Sequence, residues 1–203
     1  MTGFKVVNLS YLVEVSGEDA AKSILSGFCC PQNPDVEKFM RVKAIEFAKH
    51  GWSQTHLLFA SYKKEPVLAG YFTLTNKYIM INADKKMSKT LRKRISAFAT
   101  FDSNIKKYFM TAPLIAQLGK NYANDYNKLI SGDELLAVAC DKIRSIQVDL
   151  GGRFTYLECE DKPVLTEFYQ RNGFYNFGRR YLEKDEINDF DTQYLVQMIK
   201  YLK

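Results

Sequence analysis

Apolar positions follow two different periods along the chain, and each change of period marks an element. Leu135, Leu136, Ala139, Ile143, Ile146 and Leu150 recur close to the helical period, which predicts a long helix over 131–150. Ser131 with Glu134 three residues on forms a capping box at its start. Gly151 and Gly152 stop it. Tyr108 to Gly119 and Arg153 to Cys159 read as strands on either side, so the stretch is a βαβ crossover with parallel strands. Lys120 to Ile130, rich in Asn, Tyr and Lys, is the loop before the helix. Further on, Asp161 is expected to cap a short helix with Pro163 in its first turn and Gly173 past its end. A strand over 174–183, an acidic loop from Glu183 to Asp191 and a last strand over 193–202 follow. That last strand is apolar on both parities, the mark of burial on both faces.

The first half is less periodic. Phe4 to Val7 reads as a strand and Ala20 to Leu25 as part of a short helix. Asn33 and Pro34 supply an N-cap and a first helical residue for a helix over 35–50. Val36, Phe39, Met40, Ala44 and Phe47 share its apolar face, and Gly51 ends it. Thr55 to Ser61 and Pro66 to Thr75 are strands joined by the polar turn Tyr62 to Glu65, a hairpin that Lys77 to Ala83 extends. Leu91, Ile95 and Phe98 give a helix over 88–99 its one apolar face.

Composition narrows the class. At 203 residues, 46% hydrophobic and 26% charged, the chain is expected to be one soluble α/β domain. No apolar run reaches the roughly 18 residues of a membrane span, and Met1 to Ser10 lacks a signal-peptide core. A cytoplasmic location with no membrane partner is the expectation. The net charge of +6 suits an anionic cofactor or macromolecule, or equally a basic surface kept for solubility. Much of it lies in a basic insertion near 84–108, where Lys85 to Arg94 carries six basic residues and no acidic one. That row is either a solvated helix face or a phosphate-backbone contact. Cys29, Cys30, Cys140 and Cys159 have no zinc spacing with His50 and His56 and read as buried thiols.

The chemistry concentrates in the second half. Phe168-Tyr169-Gln170-Arg171-Asn172-Gly173-Phe174 resembles the Leu-Tyr-x-x-x-Gly-Phe motif of the GNAT acetyltransferase superfamily. Asn127 to Gly132 takes the place of its Gln/Arg-x-x-Gly-x-Gly/Ala loop, of which Gly132 alone is kept. Leu68 to Leu74 and the block around Phe28 to Pro31 resemble a GNAT branch that includes toxins acetylating aminoacyl-tRNA, with Pro31 where that branch has glycine. The resemblance implies a GNAT fold, a mixed central sheet flanked by helices, using acetyl-CoA as co-substrate to acetylate a primary amine.

It also implies site residues. Backbone groups of Gln117, Leu118, Gly119 and Lys120 would hold the pantetheine arm, one N–H near Leu118 or Gly119 bonding the thioester oxygen. Ile130, Ser131, Gly132 and Asp133, with Lys128, would receive the pyrophosphate at a helix start whose unpaired N–H groups and dipole suit an anion. Tyr169 would protonate the departing thiolate. Glu158 and Glu160 bracket Cys159 at a strand end, where each is either a general base or a salt-bridge partner. The acceptor is a small-molecule amine or aminoacyl-tRNA; an antitoxin partner and a homodimer stay open, as does a non-catalytic CoA-binding or nucleic-acid-binding regulator on the same fold.

Overall fold

Two-residue alternation and helical stripes assemble here into an eight-stranded mixed sheet with helices packed on it. The computed structural model describes residues 3–83, 87–184 and 192–202. In chain order the elements are β1 (Phe4–Asn8), α1 (Leu9–Ser16), α2 (Glu18–Ser26), α3 (Pro34–Lys38), α4 (Ala44–Lys49), β2 (Gln54–Tyr62) and β3 (Glu65–Asn82). Then come α5 (Lys89–Ser96), β4 (Thr100–Asp102), β5 (Lys107–Lys120), α6 (Gly132–Leu150), β6 (Phe154–Cys159), α7 (Pro163–Arg171), β7 (Tyr175–Tyr181) and β8 (Tyr194–Tyr201). The strand order is β1-β2-β3-β5-β6-β8-β7, with β4 pairing with β5. The chain divides into two compact units, one of Met1–Thr75 with Ile115–Ala139, the other of Asn76–Leu114 with Cys140–Lys203.

In the first unit β1 runs antiparallel to β2, and β2 to β3. Lys63 and Lys64 turn the hairpin with φ of 51° and 70°, the left-handed pair that matches strand twist in a two-residue loop. Asn33 caps the next helix as expected, its side chain accepting the Val36 N–H at 3.3 Å with Pro34 in the first turn. The expected single α-helix over 35–50 is instead interrupted by a π turn, Phe39–Lys43, between α3 and α4. Burial explains it: Phe39 and Met40 are buried, and so are Ala44 and Ile45, five residues on. One extra residue in the turn keeps both pairs on the core. Helix α1, which the sequence pattern did not suggest, is capped by Asn8, whose side chain accepts from Ser10 and Tyr11 N–H groups.

In the second unit Ile79 and Ile81 of β3, Leu91 and Ile95 of α5, Tyr108 and Met110 of β5, and Phe154, Tyr156 and Ile199 form one core. Strand β8 lies between β6 and β7, antiparallel to both, and it is apolar on both parities because both its faces are covered: Leu195, Val196, Met198 and Ile199 are all buried. The stripe of α6 departs from expectation at its C-terminal end. Ile146 and Leu150 are 36% and 75% exposed, whereas Gln147 is buried and donates to the Phe154 carbonyl at 2.8 Å. The buried positions of α6 are Leu135, Leu136, Ala139, Cys140, Ile143 and Gln147, and Leu150 lies off them. Asp161 does not cap α7 either: the N-cap is Lys162, without a side-chain bond. The Asp161 carboxylate instead accepts from Arg179 and from the Tyr194 hydroxyl. Lys85, Lys86 and residues 185–191 of the acidic loop lie outside the described residues.

Candidate active site

The end of β5 is positioned by tight packing in the first unit. A Cβ on Gly119 would stand 2.4 Å from Val36 Cγ1, so α3 lies directly on the strand there. A Cβ on Gly70 would meet the Gly119 carbonyl oxygen at 2.9 Å, which brings the β3 backbone equally close. Side chains add direction. Gln117 Nε2 donates to Asp35 at 3.0 Å, and the buried Tyr71 hydroxyl donates to the Val36 carbonyl at 2.6 Å. Leu118 is half-buried beside them.

Past the strand, Lys120 Nζ donates to the Asn127 carbonyl at 3.0 Å, tying the loop back to β5. Asn124 and Asp125 take left-handed φ of 50° and 63°, which these two residue types tolerate. Lys128 is exposed and paired with Asp125 at 3.0 Å. Ile130 is buried and pins the entry to α6. The capping box then closes as the sequence predicts. Glu134 accepts from the Ser131 N–H and hydroxyl, both at 2.8 Å, while the Glu134 N–H donates to the Ser131 hydroxyl at 3.1 Å. Those bonds hold the Glu134 carboxyl below the usual range, the Ser131 N–H first and its hydroxyl second. Gly132, with no Cβ, and the exposed Asp133 open the helix. The nine residues expected to hold a cofactor therefore lie on one continuous strand-loop-helix path. Its helix end suits an anion on two counts, first-turn N–H groups without intrahelical acceptors and the dipole, while Lys128 is paired with Asp125. The first-turn carboxylates of Asp133 and Glu134 oppose an anion there, that of Glu134 drawn back onto Ser131.

The two expected catalytic residues lie in the second unit. Tyr169 is on α7, its ring edge-on to Phe168 and Phe174 with centroids 4.9 and 5.9 Å away. Burial pushes its phenol well above the ordinary value, and the nearby Cys159 adds to the shift. The Cys159 thiol is itself pushed up to about 12 by burial, with Asp161 and Glu160 contributing. Both groups are therefore protonated at neutral pH. The Glu158 carboxylate accepts from Arg180 Nε at 2.7 Å and from Gln197 Nε2 at 2.8 Å, and Glu160 pairs with Lys162 at 2.8 Å.

Sequence reasoning missed Asn121. Its side chain accepts from the Cys29 and Ala123 N–H groups at 3.0 and 3.1 Å and donates to the Leu68 carbonyl at 2.9 Å. It thus joins β3, the loop after α2 and the end of β5. The only local hint is a lone polar residue directly after an apolar strand.

Strand order, the α6 crossover and the antiparallel β7–β8 pair that follows α7 give this chain the GNAT fold. Among solved structures it is similar to a tyrosine-to-phenylalanine mutant of KacT, at TM-score 0.60 and 15% identity over 96% of this chain and 94% of that one. It is similar to AtaT complexed with acetyl-methionyl-tRNAfMet, at TM-score 0.60 and 14% identity over 95% of this chain and 93% of that one. A third is a mutant of the toxin AtaT bound to the C-terminus of the antitoxin AtaR and acetyl-CoA, at TM-score 0.56 and 13% identity over 96% and 92%. No protein-family model and no curated protein sequence matches the chain.

Proposed function

We propose that this chain is an acetyl-CoA-dependent N-acetyltransferase whose acceptor is the α-amine of an aminoacyl-tRNA. The observation that carries the reading is the strand-loop-helix path from Gln117 to Glu134, on a fold shared nearly end to end with a protein solved with acetyl-methionyl-tRNAfMet. Acetyl-CoA is the co-substrate and supplies an acetyl group activated as a thioester. The N–H groups at Leu118 and Gly119 polarise its carbonyl, a fixed-dipole effect of a few kcal/mol at comparable sites. Gly132 and Lys128 hold the diphosphate. As the amine nitrogen bonds the carbonyl carbon, the carbon–sulfur bond breaks and the leaving thiolate takes the Tyr169 proton. Burial suits Tyr169 to that task, since a phenol with a raised pKa reaches the step still protonated. Glu158 is the candidate base for the amine proton, each oxygen keeping a lone pair beyond its present hydrogen bond. The likeness to the AtaT complex supports an antitoxin partner by the same reasoning.

The test supplies radiolabelled acetyl-CoA with a mixture of charged tRNAs, and separately with small primary amines. Label on charged tRNA and not on uncharged tRNA is the expected result. Label on small amines alone would redirect the acceptor, and hydrolysis-level label everywhere would remove the enzymatic reading.

A further inference from the structure

The strand-loop-helix path of the first unit has two halves, the strand end at 117–120 and the helix start at 131–133, joined by a loop over 121–130. Within that loop Asn124, Asp125 and Lys128 are exposed, and the other inner residues are half-buried. Its two end residues are buried, Asn121 and Ile130, each at 2% exposure. The ends are held by different physics. Ile130 sits by apolar contact, which has no direction. Asn121 sits by hydrogen bonds, which fix orientation as well as place.

Those bonds reach three other segments. The Asn121 backbone N–H donates to the Ala69 carbonyl at 2.8 Å, which ties the end of β5 to β3. Its side chain accepts from the Cys29 and Ala123 N–H groups at 3.0 and 3.1 Å and donates to the Leu68 carbonyl at 2.9 Å. Both lone pairs of the amide oxygen are thereby used, and one of the two amide protons. The bond to Ala123, two residues on, is an Asx turn, which bends the chain out of the strand. The bond to Cys29 secures the loop after α2. Tyr122 continues that strap: its N–H donates to the Cys29 carbonyl at 2.7 Å and its hydroxyl to Gln32 at 2.8 Å. Further along, the loop is tied by looser means, the long Lys120 side chain on the Asn127 carbonyl and the Tyr126 ring edge-on to Tyr62 at 5.5 Å. Where the chain leaves β5, and in which direction it sets out for α6, is therefore decided at Asn121.

That decision matters to a ligand long enough to use both halves. Contact with the second half is intramolecular once the first is made, and the gain depends on the halves standing at the spacing the ligand spans. We infer that Asn121 is a positioning residue for acetyl-CoA: its buried side chain sets the register between the strand end that takes the thioester arm and the helix start that takes the diphosphate. The inference rests on the proposed acetyl-CoA reading and adds the residue that makes one site of two half-sites.

The experiment measures the dissociation constants of acetyl-CoA and of two fragments, S-acetylpantetheine and ADP, for wild type, Asn121→Ala and Asn121→Ser. Chemical-shift titration reads the weak fragments, and signal dispersion with the melting temperature reports folding. Serine is the milder variant, since its hydroxyl keeps the turn bond to Ala123 in weaker form and gives up Cys29 and Leu68. It carries the test if the alanine variant does not fold. Wild type should bind acetyl-CoA far more tightly than either fragment. Asn121→Ala should bind acetyl-CoA roughly tenfold more weakly or worse, while each fragment stays within about twofold of wild type, and Asn121→Ser should fall between. A purely structural role would move all three ligands together, so equal losses for acetyl-CoA and both fragments would overturn the inference. Unchanged acetyl-CoA affinity in the folded variants would overturn it too. Both of those outcomes leave the acetyl-CoA reading standing. A wild type that binds neither acetyl-CoA nor its fragments would remove that reading, and the role of Asn121 with it.

Discussion

At the residue scale, two residues set the terms. In the proposed reaction Tyr169 holds a proton until the thiolate appears, and burial keeps it protonated beyond the ordinary phenol value of 10.0. The sign follows from that direction: an acid whose pKa is raised stays competent below its ordinary value and is lost only as pH passes the higher one. The alkaline limb of kcat should therefore show no loss from Tyr169 up to pH 10. Tyr169→Phe keeps the ring between Phe168 and Phe174 and removes the proton. The expected outcome is a fall in kcat of about 10²-fold or more with little change in acetyl-CoA affinity. Steady-state kinetics under conditions where chemistry limits turnover check it, and an unchanged kcat would leave Tyr169 as packing. Gly119 is a different kind of constraint, because its missing Cβ is where Val36 Cγ1 sits. Gly119→Ala should destabilise the fold by about 1–3 kcal/mol through overpacking. Combining it with Val36→Ala should recover part of that loss, and chemical denaturation of the two single variants and the pair measures the coupling. Purely additive losses would show that the strand yields in some other way.

At the element scale, the start of α6 carries the most specific claim. Gly132→Glu adds bulk and a negative charge beside Glu134, so the rise in melting temperature produced by acetyl-CoA should shrink sharply. Equal stabilisation of wild type and variant, read by differential scanning fluorimetry, would remove the diphosphate from this helix end. This element was also the most legible in the sequence. Ser131 and Glu134 are three residues apart, and a capping box is a local bond pattern that needs no tertiary partner. The same holds for Asn33 with Pro34 and for the Lys63–Lys64 hairpin. Asp161 was read by the same local rule and misplaced, because Arg179 and Tyr194, distant in sequence, compete for its carboxylate. The π turn at Phe39–Lys43 was hidden for a related reason. Five-residue spacing between buried pairs emerges only once the sheet decides which side chains are covered. Asn121 carries no periodic signal at all, since its three partners come from separate parts of the chain.

At the scale of the whole molecule, charge is distributed unevenly enough to predict behaviour in salt. Sequence placed Lys89, Arg92 and Lys93 in one row on the basic helix. The structure keeps part of that row: Lys89 and Lys93, four residues apart on α5, are exposed, whereas Arg92 is half-buried and engaged, and Arg94 lies over the Tyr201 ring at 4.6 Å. Leu91 and Ile95 anchor the other side of the helix in the core, so its exposed face can be recharged without unpacking it. Ammonium groups of this kind neutralise phosphates without reading sequence, and each pairing releases counterions. If α5 meets the acceptor RNA, the double variant Lys89→Glu with Lys93→Glu should raise KM for charged tRNA by an order of magnitude or more at low salt. The slope of log affinity against log salt should become shallower by roughly two, one for each phosphate left without its lysine. Turnover of a small amine should fall far less, because these ammonium groups neutralise phosphates and a small amine has none. The measurement compares both acceptors, wild type and variant, across a series of salt concentrations. Equal salt slopes in the two proteins would return Lys89 and Lys93 to the role of a solvated helix face. Equal loss with both acceptors would point to damage in the fold, which the melting temperature reports independently.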